Sequence, residues 1–144
     1  MPLHLLKLCV GAESIGDLEE WIAERMAAKK KRGEPQEHIH TTRMTPKRVE
    51  ELLDGGSLYW VIKGQIACRE RLLDIRPFTD AEGIGRTDLV LDGKVKPVMP
   101  RPFRPFQGWR YLQAKDAPAD IGAKSAVAEM PETLRRELRE LGLL

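Results

Sequence analysis

Between Gly93 and Lys115 the chain carries six basic residues and no acidic one: Lys94, Lys96, Arg101, Arg104, Arg110 and Lys115. Phe103, Phe106, Trp109 and Tyr111 are threaded among them, and Pro97, Pro100, Pro102 and Pro105 favour an extended backbone. Cations that pair with phosphates, set beside rings that stack on bases, are the composition of a nucleic-acid contact surface. In that reading Arg101, Arg104 and Arg110 neutralise phosphates. Phe106, Trp109 or Tyr111 stack on bases, and Lys63 and Arg69 extend the surface. The same composition suits an arm whose rings fill gaps in the core while its cations stay in water.

A second candidate lies around Thr45-Pro46. Thr41, Thr42 and Thr45 offer hydroxyls, and Arg43, Lys47 and Arg48 offer charge. A helix beginning there would present free N–H groups to a phosphate or other anion. An ordinary capped helix with solvated bases explains the same residues. His38 and His40 stand two apart, a spacing that on a strand turns both imidazoles to one side. Two ligands fall short of the three or four that a metal site usually has, so no metal and no other cofactor is predicted. Neither cysteine, Cys9 or Cys68, has a histidine beside it, and no Gly-x-Ser-x-Gly elbow or Walker loop occurs. Gly83-Ile84-Gly85 lacks a third glycine at the dinucleotide-binding spacing. A general acid or base would have to come from His38, His40 or Asp74, and the balance favours a binding module over an enzyme.

The rest of the 144-residue chain is nearly charge-balanced, with a formal net charge of +2, so only the local excess argues for a polyanion. Hydrophobic residues at 42% and charged residues at 32% describe a soluble globular chain, long enough for a core of its own. No apolar run approaches the ~18 to 20 residues that span a bilayer. Leu3 to Val10 is too short for a secretory core and is interrupted by His4 and Lys7. These absences predict a cytoplasmic protein with no membrane partner, in which Cys9 and Cys68 are buried reduced thiols.

The elements that must position these residues read as mixed α and β. Leu3 to Val10 reads as a strand, followed by an amphipathic helix from about Ile15 to Arg32 with Ser14 as its cap. His38 to Met44 reads as a strand, and Thr45-Pro46 opens a short helix stopped by Gly55-Gly56. Ser57 to Lys63 is an unbroken apolar strand, expected to be buried on both faces. After a bend at Gly64, Gln65 to Phe78 is a longer strand. It places Ile66, Cys68 and Glu70 on one side and slips by one after Leu72-Leu73, as a bulge would make it do. Arg86 to Leu91 returns as a strand, the Pro-rich arm follows, and Gly108 to Leu112 re-enters the sheet. Asp116 to Ser125 is a linker, and Pro131 to Leu141 is a last helix with a narrow Leu134, Leu138, Leu141 stripe.

Gly56-Ser-Leu-Tyr-Trp-Val-Ile-Lys-Gly64, then Arg69, and Arg104-Pro-Phe-Gln-Gly-Trp-Arg-Tyr-Leu112 resemble a family of short bacterial proteins known only as a domain of unknown function. The opening His4-Leu-Leu-Lys-Leu-Cys-Val-Gly11 and the closing Asp116-Ala-Pro-Ala-Asp120 fit the same family. The likeness covers about residues 1–120 and implies no activity, substrate or catalytic residue. A looser resemblance in layout, over Tyr59 to Ile75, is to the pseudouridine-synthase-and-archaeosine-transglycosylase (PUA) barrels and the activating-signal-cointegrator-homology (ASCH) domains. It implies a small mixed barrel that binds RNA.

The expected architecture is one α+β domain over residues 1–122, with a linker and C-terminal helix over 123–144. Its sheet is small, curved and mostly antiparallel, or a partly closed PUA-like barrel, with two helices packed outside. The expected function is a non-enzymatic RNA- or nucleotide-binding module. Its alternatives are a protein-interaction or assembly domain, pairing as a homo-oligomer through the C-terminal helix, and an enzyme acting on a small phosphorylated or nucleotide substrate.

Overall fold

A computed structural model describes residues 2–121. In chain order its elements are β1 (His4–Leu8), α1 (Ile15–Lys31), β2 (His38–Thr42), α2 (Val49–Leu53), β3 (Ser57–Ile62), β4 (Gln65–Thr79), β5 (Gly85–Leu91), β6 (Lys96–Pro102) and β7 (Trp109–Leu112), with a 3-10 turn at Ala114–Asp116. The strands form one mixed sheet in the order β2-β5-β4-β3-β1-β7, with β6 pairing β4 outside that path. Only β1 and β3 run parallel; the other pairs are antiparallel. The outer strands β2 and β7 do not pair with each other, so the curved sheet stays open and does not close into a barrel.

The 15-residue β4 organises the sheet. β3 and β6 both pair with its first residues, Gln65 to Arg69, and so flank its two edges there. From Leu72 onward it pairs with β5, after a register shift between Leu72 and Asp74 that meets the predicted slip. All six residues of β3 are buried, as its unbroken apolar run requires. β3 and β4 are joined by a two-residue turn in which Lys63 and Gly64 have φ of 51° and 75°. Two left-handed residues are what a type I′ hairpin needs.

Alternation along the strands sorts the apolar side chains onto two faces. One face holds Leu5, Leu58, Trp60, Ile62 and Cys68 under the helices, with Ile15, Leu18 and Ile22 of α1 and Leu52 of α2. The other holds Leu6, Tyr59, Val61, Ile66, Val98, Phe106 and Leu112. Ser14 caps α1 by accepting from the Asp17 N–H at 3.1 Å, and Lys29, Lys30 and Lys31 close its last turn, the charge order the helix dipole favours. α2 and β3 meet so closely at Gly56 that a Cβ there would lie 2.2 Å from the Leu52 carbonyl oxygen and 2.3 Å from that of Leu3.

Three expectations are corrected. Thr45-Pro46 does not open the second helix, which begins at Val49 with no side-chain cap at Arg48. The Thr45 hydroxyl bonds instead to that of Thr87 on β5, and this tertiary contact replaces the local cap. Ile66 does not share a side with Cys68 and Glu70. A register shift between Trp60 and Val61 leaves Ala67 without a partner on β3 and turns Ile66 to the opposite face. The first part of the Pro-rich arm is not free: Lys96–Pro102 is paired along β4. On its other edge β6 meets, among the described residues, only the 119–121 segment, where the Met99 N–H donates to the Ala119 carbonyl and the Pro97 carbonyl accepts from the Ile121 N–H, so no proline has to donate there. The predicted helix from Pro131 to Leu141 lies outside the described residues. Among those described, no helix is long and apolar enough to cross a membrane.

Candidate functional site

The basic and aromatic residues singled out from the sequence fall into two groups because β7 alternates. Arg110 stands opposite Leu6, whereas Trp109 and Tyr111 stand opposite Lys7 and Leu5. Arg110 therefore shares the face of Leu6 and Phe106, and the two rings point to the face of the helices.

On the Arg110 face a groove of about 400 Å³ runs between β6 and β7, lined by Arg101, Phe103 and Arg110 over a floor of Leu6, Ile66 and Leu112. The Arg110 guanidinium lies 4.9 Å from the centroid of the Phe106 ring. Phe106 itself is only 9% exposed and meets Phe103 edge-on, so its ring packs rather than offering a free stacking face. Arg101 donates to the Asp116 carbonyl at 2.6 Å. The Phe103 N–H donates to the Gly64 carbonyl at 2.9 Å, which sets Lys63 beside the groove. Lys63, Arg101, Arg104 and Arg110 are all exposed, and among the described residues none pairs with a carboxylate. Asp116 is the carboxylate on the groove's rim.

The other group serves the chain. Trp109 donates through its indole N–H to the Met44 carbonyl at 2.8 Å. The Lys47 and Arg48 N–H groups donate to the Tyr111 hydroxyl at 2.9 and 3.2 Å. The N–H groups expected to be open to an anion thus already meet a phenol oxygen. Arg48 also pairs with Glu51 and lies over Tyr111. The two rings fasten the segment between β2 and α2 to β7, and Arg43 and Lys47 stand exposed on that segment. Arg69 belongs to neither group. Its guanidinium donates twice to Asp120 and once to Ser57 Oγ, each at 2.7 Å.

A third constellation was not found from the sequence. Glu70 is 0% exposed. Its Oε1 accepts from His38 Nδ1 at 2.7 Å and its Oε2 accepts from the Trp60 indole N–H at 2.8 Å. Register explains the pairing: Leu58 faces Glu70 and Trp60 faces Cys68, so Trp60 and Glu70 are diagonal neighbours on one face. His38 and His40 do turn to the same side. His40 meets the Trp60 ring edge-on at 5.1 Å, and its Nε2 is buried with no hydrogen-bond partner. Burial pushes the His40 imidazole down to about 4, and the nearby Lys7, His38 and Arg25 charges push the same way. Burial also pushes Lys7 down and the Cys9 thiol up to about 11. Cys68, deeper still, is raised as well, so neither cysteine offers a thiolate.

These groups border a cavity of about 150 Å³ between α1 and the sheet, lined among others by Lys7, Trp21, Arg25, His38, His40 and Trp60. An open shelf adjoins it, sharing Val10, Trp21 and Arg25 and adding Glu24. The remaining histidine, His4, is structural: its Nδ1 accepts from the Ser57 N–H at 3.0 Å. Among the described residues no three His, Cys, Asp or Glu are grouped to hold a metal ion.

The family model described as a protein of unknown function, DUF1489, matches residues 5–144, and the chain belongs to this family. The match runs past residue 120, where the likeness read from the sequence stopped. No curated protein and no solved structure matches.

Proposed function

We propose that this member of the DUF1489 family is a non-enzymatic RNA- or nucleotide-binding module, and that a single strand lies in the groove between β6 and β7. The observation that carries the reading is the convergence of Arg101, Arg110 and Phe103 on one groove, with Lys63 and Arg104 exposed beside it. Four cations without carboxylate partners keep their charge for phosphates, and the ring of Phe103 at the edge suits a stacked base better than a duplex. Arg69, Trp109 and Tyr111 are bound elsewhere in the structure and support the surface instead of contacting the strand.

The test is fluorescence anisotropy of labelled single-stranded RNA, duplex RNA and duplex DNA, at low and near-physiological salt. Single-stranded RNA is expected to bind most tightly. Arg101→Ala with Arg110→Ala is expected to weaken it and to lower the slope of log K against log salt by about 2. Equal affinity and equal slope in the double variant would remove the groove from the mechanism.

A further inference from the structure

We infer that the groove between β6 and β7 selects guanine: the Asp116 carboxylate takes the N1–H and 2-amino donors of one unpaired G, whose ring lies against Phe103 and Pro102. The inference rests on the reading of this groove as a site for single-stranded RNA, and it names the base that the site prefers.

A carboxylate is out of place on a surface that serves phosphates alone. Asp116 lines the groove together with Arg101 and Arg110, and its charge there repels a polyanion. No ion pair offsets that repulsion. Arg101 donates to the main-chain carbonyl of Asp116 at 2.6 Å, and among the described residues no cation meets the carboxylate itself. The side chain does not hold its own turn either. The 3-10 turn is closed by the backbone, the Asp116 N–H donating to the Gln113 carbonyl at 3.0 Å, with no side-chain cap. Both carboxylate oxygens are thus left to a ligand.

The groups that meet the base are open to it. Arg101, Pro102, Arg110 and Gln113 are exposed, and Phe103 and Asp116 are half-buried. The groove measures about 400 Å³, the scale of a site for one small ligand such as a single nucleotide. Two acceptors side by side match two donors side by side. Among the four RNA bases only guanine presents that pair on its Watson–Crick edge, the edge that a single strand leaves free. Adenine and cytosine set a ring-nitrogen acceptor next to their amino group, and uracil flanks its N3–H with carbonyls. Each of these turns a lone pair towards a carboxylate oxygen. Gln113 also lines the groove. A 3-10 turn brings residues three apart side by side, so its amide N–H stands next to Asp116, on the side suited to guanine O6.

The experiment measures fluorescence anisotropy of labelled single-stranded oligouridylates, each carrying one central G, inosine or A, with the full chain. The G probe is expected to bind at least about tenfold more tightly than the A probe, the scale of one bidentate base contact. Inosine, which keeps N1–H and lacks the 2-amino group, is expected to fall between them. Asp116→Asn keeps the size of the side chain but replaces one acceptor with a donor. It is expected to bring the ratio of G to A affinity close to one, while the A probe itself binds more tightly because a negative charge has left the groove. A merely electrostatic Asp116 would raise all three probes alike and leave their ratios unchanged, which overturns the inference. Equal binding of the G and A probes by the wild type overturns it too. Where those probes still lose affinity in Arg101→Ala with Arg110→Ala, the groove remains the RNA site and only the base preference falls. No binding of any probe overturns both readings.

Discussion

Replacing Glu70 tests the buried polar cluster most directly. The carboxylate accepts from two donors, His38 Nδ1–H at 2.7 Å and the Trp60 indole N–H at 2.8 Å, with no exposure to water. Glu70→Leu keeps the volume but strands both donors. The imidazole can move its proton to Nε2, whereas the indole cannot. At least one donor therefore stays unsatisfied, and two charge-assisted bonds are lost, which together cost about 3 kcal/mol. Glu70→Gln behaves differently. Its amide oxygen can accept from Trp60 while its NH₂ donates to a His38 carrying the proton on Nε2. Every group remains paired, and the cost falls to about 1 kcal/mol. For a chain of 144 residues each kcal/mol corresponds to roughly 3–5 °C in Tm. The expected order is wild type, then Gln lower by roughly 3–5 °C, then Leu lower by roughly 9–15 °C. Urea and thermal unfolding followed by circular dichroism give these values. A Leu variant as stable as the Gln variant would refute the reasoning, since the two donors would then not depend on the carboxylate.

Other outcomes follow from the same structure. The His40 imidazole is held down to about 4 in the folded chain, mainly by burial, against an ordinary value of 6.5. Between those values the unfolded chain binds the extra proton, so stability falls as pH drops from 6.5 towards 4. The loss is up to about 3 kcal/mol for one such group; His40→Gln is expected to flatten that limb of the stability–pH curve, and an unaltered curve would contradict the assignment. Gly56→Ala would place a Cβ within 2.3 Å of two backbone carbonyl oxygens. Neither oxygen can swing aside as a side chain would, so the variant is expected to lose about 3 kcal/mol or more, or to express unfolded; wild-type stability would show that α2 and β3 can part without loss.

The strands that stood out in the sequence were those whose burial leaves an unambiguous pattern. The apolar run from Leu58 to Ile62, the slip after Leu72-Leu73 and the Ser14 cap with its closing lysines all rest on interactions between near neighbours. The start of α2 was misread because Thr45 resembles a local cap, yet its hydroxyl bonds to Thr87, 42 residues away. Splitting of the basic arm over two faces was implicit in the period of a strand, since Trp109, Arg110 and Tyr111 are consecutive. What hid it was not knowing that β7 is flanked by apolar residues on both faces. Glu70 left a fainter trace, a carboxylate two residues after Cys68 on a strand facing Trp60. Its partners became visible only with the Trp60–Cys68 register and with β2 folded back beside β5. The spacing of His38 and His40 showed only that both imidazoles share one side of a strand, while the chemistry present is a carboxylate between an imidazole and an indole.

The long β4 also dictates the order in which the chain can assemble. Its contacts to β3 and β5 run through short turns and close small loops. Its β6 contacts, in contrast, wait for β5 to be laid down. The pairing of β1 with β7 joins residues more than a hundred positions apart, such as His4 and Leu112. Loop-closure entropy makes such a contact slow to form. A β3-β4-β5 meander is thus the natural nucleus, and β1 is captured afterwards as its parallel neighbour. β7 seals the edge last, drawing the 44–48 segment in through Trp109 and Tyr111. The same step brings Arg110 to the rim of its groove, so the cationic surface is complete only when the final strand has docked.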